Sequence, residues 1–232
     1  MDEIVERIRQ VRERMAEAAE RSGRSAEAVT LVAVTKTMPA ERVRLAYEAG
    51  LRVFGENRVQ EAREKIGALA DLRLAHWQLI GHLQTNKVAR AVELFEMVQS
   101  VDSAHLAEAL NRSAEAHSKR LPVLLEVNVG EEASKEGVRP QALAKLAEAV
   151  VRLPHLEVQG LMTVAPYTPQ PEEVRPVFRK LRELREALRE RFPEAAWQHL
   201  SMGMSEDYEV AIEEGATMVR LGRALFGERA IK

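Results

Sequence analysis

Short apolar runs alternate with amphipathic helical patterns along most of the sequence. Residues 2–21 predict a helix, because apolar side chains recur every three or four positions before Ser22-Gly23 ends the pattern. Those apolar positions are Ile4, Ile8, Val11, Met15 and Ala18. Strand patterns follow at 31–34, 51–54, 76–80, 97–101, 122–129, 156–163, 197–201 and 217–221.

Helical patterns separate these strands. They lie at 39–49, 57–69 and 85–94, after a cap at Asp102 or Ser103, from the polar loop 130–137 to residue 151, at 171–191, and after a cap at Ser205. A strand followed by a helix about eight times predicts a single (β/α)8 TIM barrel, an α/β fold, with an extra N-terminal helix. No linker divides residues 1–232, so one domain is expected. The alternative is an open doubly wound sheet, but no G-x-G-x-x-G follows strand one and no P-loop occurs.

The composition of the chain limits the classes of partner that it is expected to bind. The 34 Lys and Arg residues against 36 Asp and Glu residues give a formal charge of −2, which does not favour nucleic acid or an anionic membrane. There is no cysteine, the N-terminus lacks a signal-peptide core, and no apolar run has transmembrane length. We therefore expect a soluble cytoplasmic protein that binds neither nucleic acid nor membrane.

Lys36 follows the apolar run of strand one directly, and Pro39 then opens a helical pattern. In a barrel, the carboxyl ends of the strands carry the site. A lysine placed there can be partly desolvated, which favours the neutral amine that a Schiff base requires. The alternative is a solvated lysine that only ends a strand.

Glycine-bearing segments follow strands seven and eight, where barrels commonly bind phosphate through backbone N–H groups. Ser201 adds a hydroxyl, and Gly203 and Gly222 allow close approach of the backbone, although either glycine alone is also typical of a turn. A phosphate site and a lysine in one barrel suggest pyridoxal 5'-phosphate (PLP). Arg220 can then donate a hydrogen bond to the pyridine nitrogen without losing its proton, or else form a salt bridge at the rim.

Six motifs occur along the chain in a fixed order. They are VAVTK at 32–36, GENRVQE at 55–61, HWQLIGHLQTNK at 76–87, GLM at 160–162, LSMGMS at 200–205 and VRLGR at 219–223. At these motifs the sequence resembles the pyridoxal phosphate homeostasis protein family, over nearly its whole length. The resemblance implies an alanine-racemase-like barrel of fold type III.

The resemblance also implies residue roles. Lys36 would carry PLP as a Schiff base, Asn57 would lie beside the ring, and Arg220 would face the pyridine nitrogen. The phosphate would be held by Ser201, Gly203, Gly222 and the backbone of Arg223. Lys135 is a second lysine that could capture PLP.

Three functions compete: a PLP carrier in vitamin B6 homeostasis, a PLP-dependent racemase, and a Schiff-base aldolase that uses Lys36 alone. Racemases of this barrel type use a second base, usually a tyrosine from an added C-terminal β-domain, whereas this sequence ends within a dozen residues of strand eight. Of its three tyrosines only Tyr167 could approach the mouth. We therefore expect little or no amino-acid turnover, delivery of PLP to apo PLP enzymes, and a monomer.

The six histidines never fall at metal-ligand spacing such as H-E-x-x-H, so no metal site is predicted. His82, which follows strand three, could line the mouth of the barrel.

Overall fold

Eight parallel strands close into a barrel in a computed structural model of the chain, which describes residues 3–132 and 135–227. The strands are β1 (Thr30–Val34), β2 (Val53–Glu56), β3 (His76–Leu79), β4 (Met97–Val101), β5 (Leu121–Glu126), β6 (Leu156–Met162), β7 (His199–Ser201) and β8 (Met218–Leu221). Each strand pairs with the next, and β8 pairs back onto β1 with Arg220 opposite Val32. The predicted TIM barrel is confirmed, and the open sheet is excluded.

Nine α-helices lie in the described part of the chain. They are α1 (Glu3–Arg21), α2 (Ala40–Glu48), α3 (Val59–Ala68), α4 (Val88–Leu94), α5 (Ala104–Ala116), α6 (Pro140–Val151), α7 (Arg175–Arg191), α8 (Tyr208–Glu213) and α9 (Arg223–Phe226). Short 3-10 turns at Ala26–Ala28, Thr85–Lys87 and Pro171–Val174 precede β1, α4 and α7. The predicted N-terminal helix buries all five of its apolar positions and packs against α8 and α9.

Alternation along the strands divides the apolar side chains between two cores. The larger core fills the space between the strands and the helices. A smaller cluster fills the barrel itself and consists of Val32, Met97, Leu124, Met162 and Met218. Residues two positions further along β1, β5 and β8 therefore lie above this plug, towards the mouth at the carboxyl ends of the strands.

Strand seven and helix α3 begin later than the sequence predicts, for local reasons. Strand two also lies later, at Val53–Glu56 rather than 51–54. Strand seven does not begin at Trp197, because Trp197 adopts φ +45 and is buried with its indole N–H donating to the Phe192 carbonyl. Helix α3 begins at Val59 rather than at residue 57, which leaves Asn57 in a loop at the mouth. Of the two predicted caps before α5, Ser103 is the cap, and its Oγ accepts from the Leu106 N–H at 3.3 Å.

The predicted cap at Ser205 is wrong. Helix α8 begins three residues later, after Asp207, which makes no side-chain cap. The Ser205 Oγ instead accepts the N–H of Ala224 at 3.2 Å, in the first turn of α9. Ser205 therefore links the segment after β7 to the segment after β8.

None of the helices in residues 3–132 and 135–227 is both long enough and apolar enough to span a bilayer.

Candidate functional site

A cavity of about 300 Å³ opens at the carboxyl ends of the strands. Five of the seven predicted site residues line it: Lys36, Asn57, Arg220, Gly222 and Arg223. They come from the ends of β1, β2 and β8, so closure of the barrel brings together residues that are up to 187 positions apart in sequence (223 − 36). The volume lies at the lower end of the range for small-molecule sites, which is about 300–1,000 Å³.

Neither Ser201 nor Gly203 lines the cavity. The Ser201 side chain is fully buried. Its hydroxyl donates to Gln99 Oε1 at 2.6 Å and accepts from Arg220 Nη1 at 2.7 Å. Gly203 adopts φ +95, and a Cβ there would lie 2.6 Å from the Cβ of Ala211, so close packing against α8 requires this glycine.

Arg220 is held from below by this buried polar layer. Arg220 is only 4% exposed, and its guanidinium donates from Nη2 to the Thr163 carbonyl at 2.8 Å, in addition to its bond to Ser201. Burial lowers the pKa of Arg220 to about 10. The group therefore stays protonated at neutral pH and can donate, but not accept, towards a ligand.

Glu126, at the end of β5, is an ionisable group of the barrel interior that the sequence prediction missed. It is 7% exposed, and its carboxyl accepts no hydrogen bond from any residue that the structure describes. Burial raises the pKa of Glu126 to about 7, with Arg220 opposing the shift and with Asp102 and Glu136 adding to it. The charge of this carboxyl therefore changes near neutral pH.

We expect stability to depend on pH through Glu126. The native carboxyl holds its proton up to about pH 7, whereas an unfolded one loses it near its ordinary value of 4.5, so the folded state binds more protons between these values. This group should therefore lower the free energy of unfolding by up to about 3 kcal/mol as pH rises through that window. Urea unfolding should show that the free energy of unfolding falls less between pH 5 and pH 8 in Glu126→Gln than in the wild type. The exposed Glu108→Gln serves as control, and an unchanged decline in Glu126→Gln would refute the assignment.

Two residues in the cavity wall have features that a ligand would explain: open space at Gly222 and a buried acceptor without a partner at Asn57. A Cβ on Gly222 would make only ordinary contacts with Val34, the nearest at 3.6 Å, so packing within the chain does not demand glycine there. The Asn57 Oδ1 is buried and has no hydrogen-bond partner among the described residues. Both features fit a polar ligand that approaches the backbone at Gly222 and reaches Asn57.

Ser205 and Tyr167 line the cavity although neither was predicted as a site residue. Ser205 stands in the same motif as Ser201, but its Oγ accepts the Ala224 N–H and keeps its own hydrogen for a ligand. Tyr167 follows β6 and is 76% exposed. The sequence placed Tyr167 near the mouth, and this is where it lies.

Three further polar side chains meet at the rim. His82 Nδ1 lies 3.7 Å from Asp102 Oδ2 and 3.8 Å from Glu136 Oε2. They follow β3, β4 and β5 and could together hold a metal ion. A search for metal-ligand spacing along the sequence does not detect such a group, because it is formed only by closure of the barrel.

The fold and the cavity define a class of protein, the alanine-racemase-like barrel with a lysine after its first strand. The family model described as "Alanine racemase, N-terminal domain" matches residues 6–230. An alanine racemase of Clostridium difficile shares the fold at 16% identity with a TM-score of 0.73, and the match covers 99% of this chain and 57% of the racemase.

Relatives of full length specify the family more closely. The pyridoxal phosphate homeostasis protein of Aquifex aeolicus is 50% identical over 224 residues, and the match covers 97% of each chain. The protein of that name in Escherichia coli strain K12 is 41% identical, with 99% of this chain and 98% of that one covered. The chain belongs to the pyridoxal phosphate homeostasis protein family. PipY of Synechococcus elongatus, in a structure with PLP bound, is 37% identical with a TM-score of 0.87, covering 97% of this chain and 100% of PipY.

Proposed function

We propose that this chain binds PLP as a Schiff base on Lys36 and acts in PLP homeostasis as a carrier. The observation that carries the proposal is one cavity that brings a lysine, a protonated arginine and an open glycine turn together. When bound, PLP supplies an aldehyde that condenses with an amine and an electron-withdrawing ring. The homeostasis relatives and PLP-bound PipY support this proposal.

Each wall residue has a proposed role in the same cavity. Arg220 donates to the ring nitrogen and keeps its own proton, which leaves the ring a weak electron sink. Asn57 lies beside the ring, and Gly222 with the backbone of Arg223 receives the phosphate. Ser201 was predicted to bind phosphate directly, as was Gly203. With Ser201 bonded to Gln99 and Arg220, we propose that Ser201 orients Arg220, that Gly203 sets the turn, and that Ser205 provides the hydroxyl to phosphate.

Removal of the Ser205 hydroxyl should affect the phosphate selectively. A hydrogen bond to a charged group contributes about 1.5–3 kcal/mol, so Ser205→Ala is expected to weaken PLP binding about tenfold or more. The affinity for pyridoxal, which lacks the phosphate, should change little. Equilibrium titration of both ligands by absorbance measures the difference, and Ser113→Ala, on α5, is the control. Equal losses for the two ligands would remove Ser205 from the phosphate site.

A PLP-dependent racemase is the second candidate function, because Tyr167 lines the cavity together with Lys36. Two-base proton transfer needs an acid and a base on opposite faces of the substrate, and each positioned group contributes about 10²–10⁴-fold. Tyr167 is largely exposed, so nothing in the described structure fixes its hydroxyl over the cavity. We therefore favour the carrier, acting as a cytoplasmic monomer that delivers PLP to apo PLP enzymes.

One experiment separates the two functions. The protein loaded with PLP is incubated with each common amino acid and, separately, with an apo PLP enzyme. We expect no turnover of free amino acids. We also expect the apoenzyme to recover its activity faster and more completely with the wild-type protein than with an equal amount of the Lys36→Ala variant. Rapid racemisation would establish the enzyme instead. Borohydride reduction and peptide mapping then tell Lys36 from Lys135, whose Nζ donates to the Ala165 carbonyl at 2.8 Å.

A further inference from the structure

A buried group of charged side chains lies behind Lys36, between the barrel and α3. Glu56 ends β2, and Glu61 and Lys65 lie on α3. The Glu56 side chain is fully buried, and that of Lys65 is 5% exposed. None of the three lines the cavity that contains Lys36. We call Glu56, Glu61 and Lys65 the rear ion-pair network.

The network bonds to both neighbours of Lys36. Lys65 Nζ donates to the backbone carbonyl of Thr35 at 2.6 Å and forms a buried ion pair with Glu56. The Thr35 hydroxyl donates to Glu56 Oε1 at 2.5 Å. On the other side of Lys36, Glu61 accepts the backbone N–H of Thr37 and lies 3.1 Å from Lys65 Nζ.

The backbone at this point needs such support. Thr37 adopts φ +64, in the left-handed region that a β-branched residue rarely occupies. Such a conformation persists only where surrounding contacts hold it. Thr35 is held towards Glu56 and α3, and Lys36, the next residue, lies in the turn after β1 and lines the cavity.

Stability alone does not explain these charges. A buried ion pair is often no more stabilising than apolar residues of the same volume, since desolvation offsets the attraction. Here both members of the pair bond to Thr35, and Glu61, which lies beside Lys65, accepts the N–H of Thr37 on the other side of the reactive lysine. We propose that Lys65, with its charge balanced by Glu56, is a positioning residue for the Lys36 amine. This inference rests on the proposed function and adds two residues that do not touch the ligand.

The test uses the double variant Glu56→Gln/Lys65→Met, which removes both buried charges at nearly constant volume. The rate constant for Schiff-base formation with PLP is measured by stopped-flow absorbance. Affinity for pyridoxine 5'-phosphate, which has the ring and phosphate but no aldehyde, is measured separately. Because a misplacement of about 1 Å can cost about 10²-fold, we expect a rate constant about 10- to 100-fold lower, with unchanged affinity for pyridoxine 5'-phosphate.

The controls separate the possible outcomes. Lys119→Met, which removes a lysine bonded to the Val92 carbonyl, should behave as wild type. Thr35→Val keeps the Glu56–Lys65 ion pair but loses the hydrogen bond from the Thr35 hydroxyl to Glu56, so its rate constant for Schiff-base formation should also be lower. If the double variant does not fold, the Thr35→Val variant alone tests the proposal. Wild-type rates, or equal losses for both ligands, would overturn the positioning role. A wild-type protein that forms no Schiff base would instead overturn the proposed function.

Discussion

Lys36→Ala is expected to abolish covalent cofactor binding while the barrel stays folded. The amine of Lys36 replaces the aldehyde oxygen of PLP and releases water, and alanine has no group that can do this. Lys36 is the only lysine among the described residues that line the cavity. It is half-buried at the mouth, so its truncation should cost little stability.

Two readouts measure this result. The absorption band of the lysine–cofactor Schiff base should be lost, and borohydride treatment should add no mass to the peptide that contains position 36. Lys135→Ala is the matched control, because Lys135 does not line the cavity and its Nζ donates to the Ala165 carbonyl; this variant should keep the band. A band of normal intensity in Lys36→Ala would contradict the central proposal.

Gly160→Ala should cause a much larger loss of stability than any other substitution considered. Gly160 lies in β6 with φ +152, next to a bulge at Gln159 where the register with β5 shifts. A Cβ at Gly160 would lie 1.9 Å from the backbone carbonyl oxygen of His199 in β7. A main-chain atom cannot rotate away as a side chain does, so the β6–β7 pairing must open. We expect a loss of more than about 4 kcal/mol, a large share of the about 5–15 kcal/mol typical of domains.

A second glycine provides the matched control. Gly67 lies on the exposed side of α3, and a Cβ there would meet nothing within 4 Å. Gly67→Ala should raise stability by about 0.5–1 kcal/mol, since alanine loses less backbone entropy in a helix. Urea unfolding of both variants measures the contrast. A loss below about 1 kcal/mol in Gly160→Ala would mean that β6 and β7 adjust more easily than their backbone contact suggests.

The barrel was predictable from sequence because its strands and helices differ in hydrophobic period, and their alternation repeats without interruption. Lys36 and Arg220 were placed correctly in the cavity by the same logic, since each stands at the carboxyl end of a strand whose face is known. Trp197 marks where this reasoning fails. The pattern of apolar residues does not show that a residue just before a strand, here Trp197, has a positive φ.

The serines of the 200–205 motif show a second limit. The sequence does not reveal which of the two hydroxyls, that of Ser201 or that of Ser205, faces the cavity. In the structure Ser201 is buried and Ser205 lines the cavity. Glu126 was missed for a similar reason. It ends an apolar strand, and its surroundings are formed by β4, β8 and the loop after β5, which only closure of the barrel brings together.

The hydrogen bonds below the cavity have a fixed direction. Arg220 has only donors, so Ser201 must accept from it and turn its own hydrogen towards Gln99. Gln99 then presents its carbonyl to Ser201 and its amide nitrogen to Gln78 Oε1, 2.5 Å away. Three aligned dipoles polarise one another and spread the arginine's positive charge across the barrel interior from β8 to β3. Oriented neutral groups thus stabilise the buried guanidinium on the side of Ser201, in addition to the carboxyl groups of Glu126 and Asp207, and its charge can still act on a ligand in the cavity.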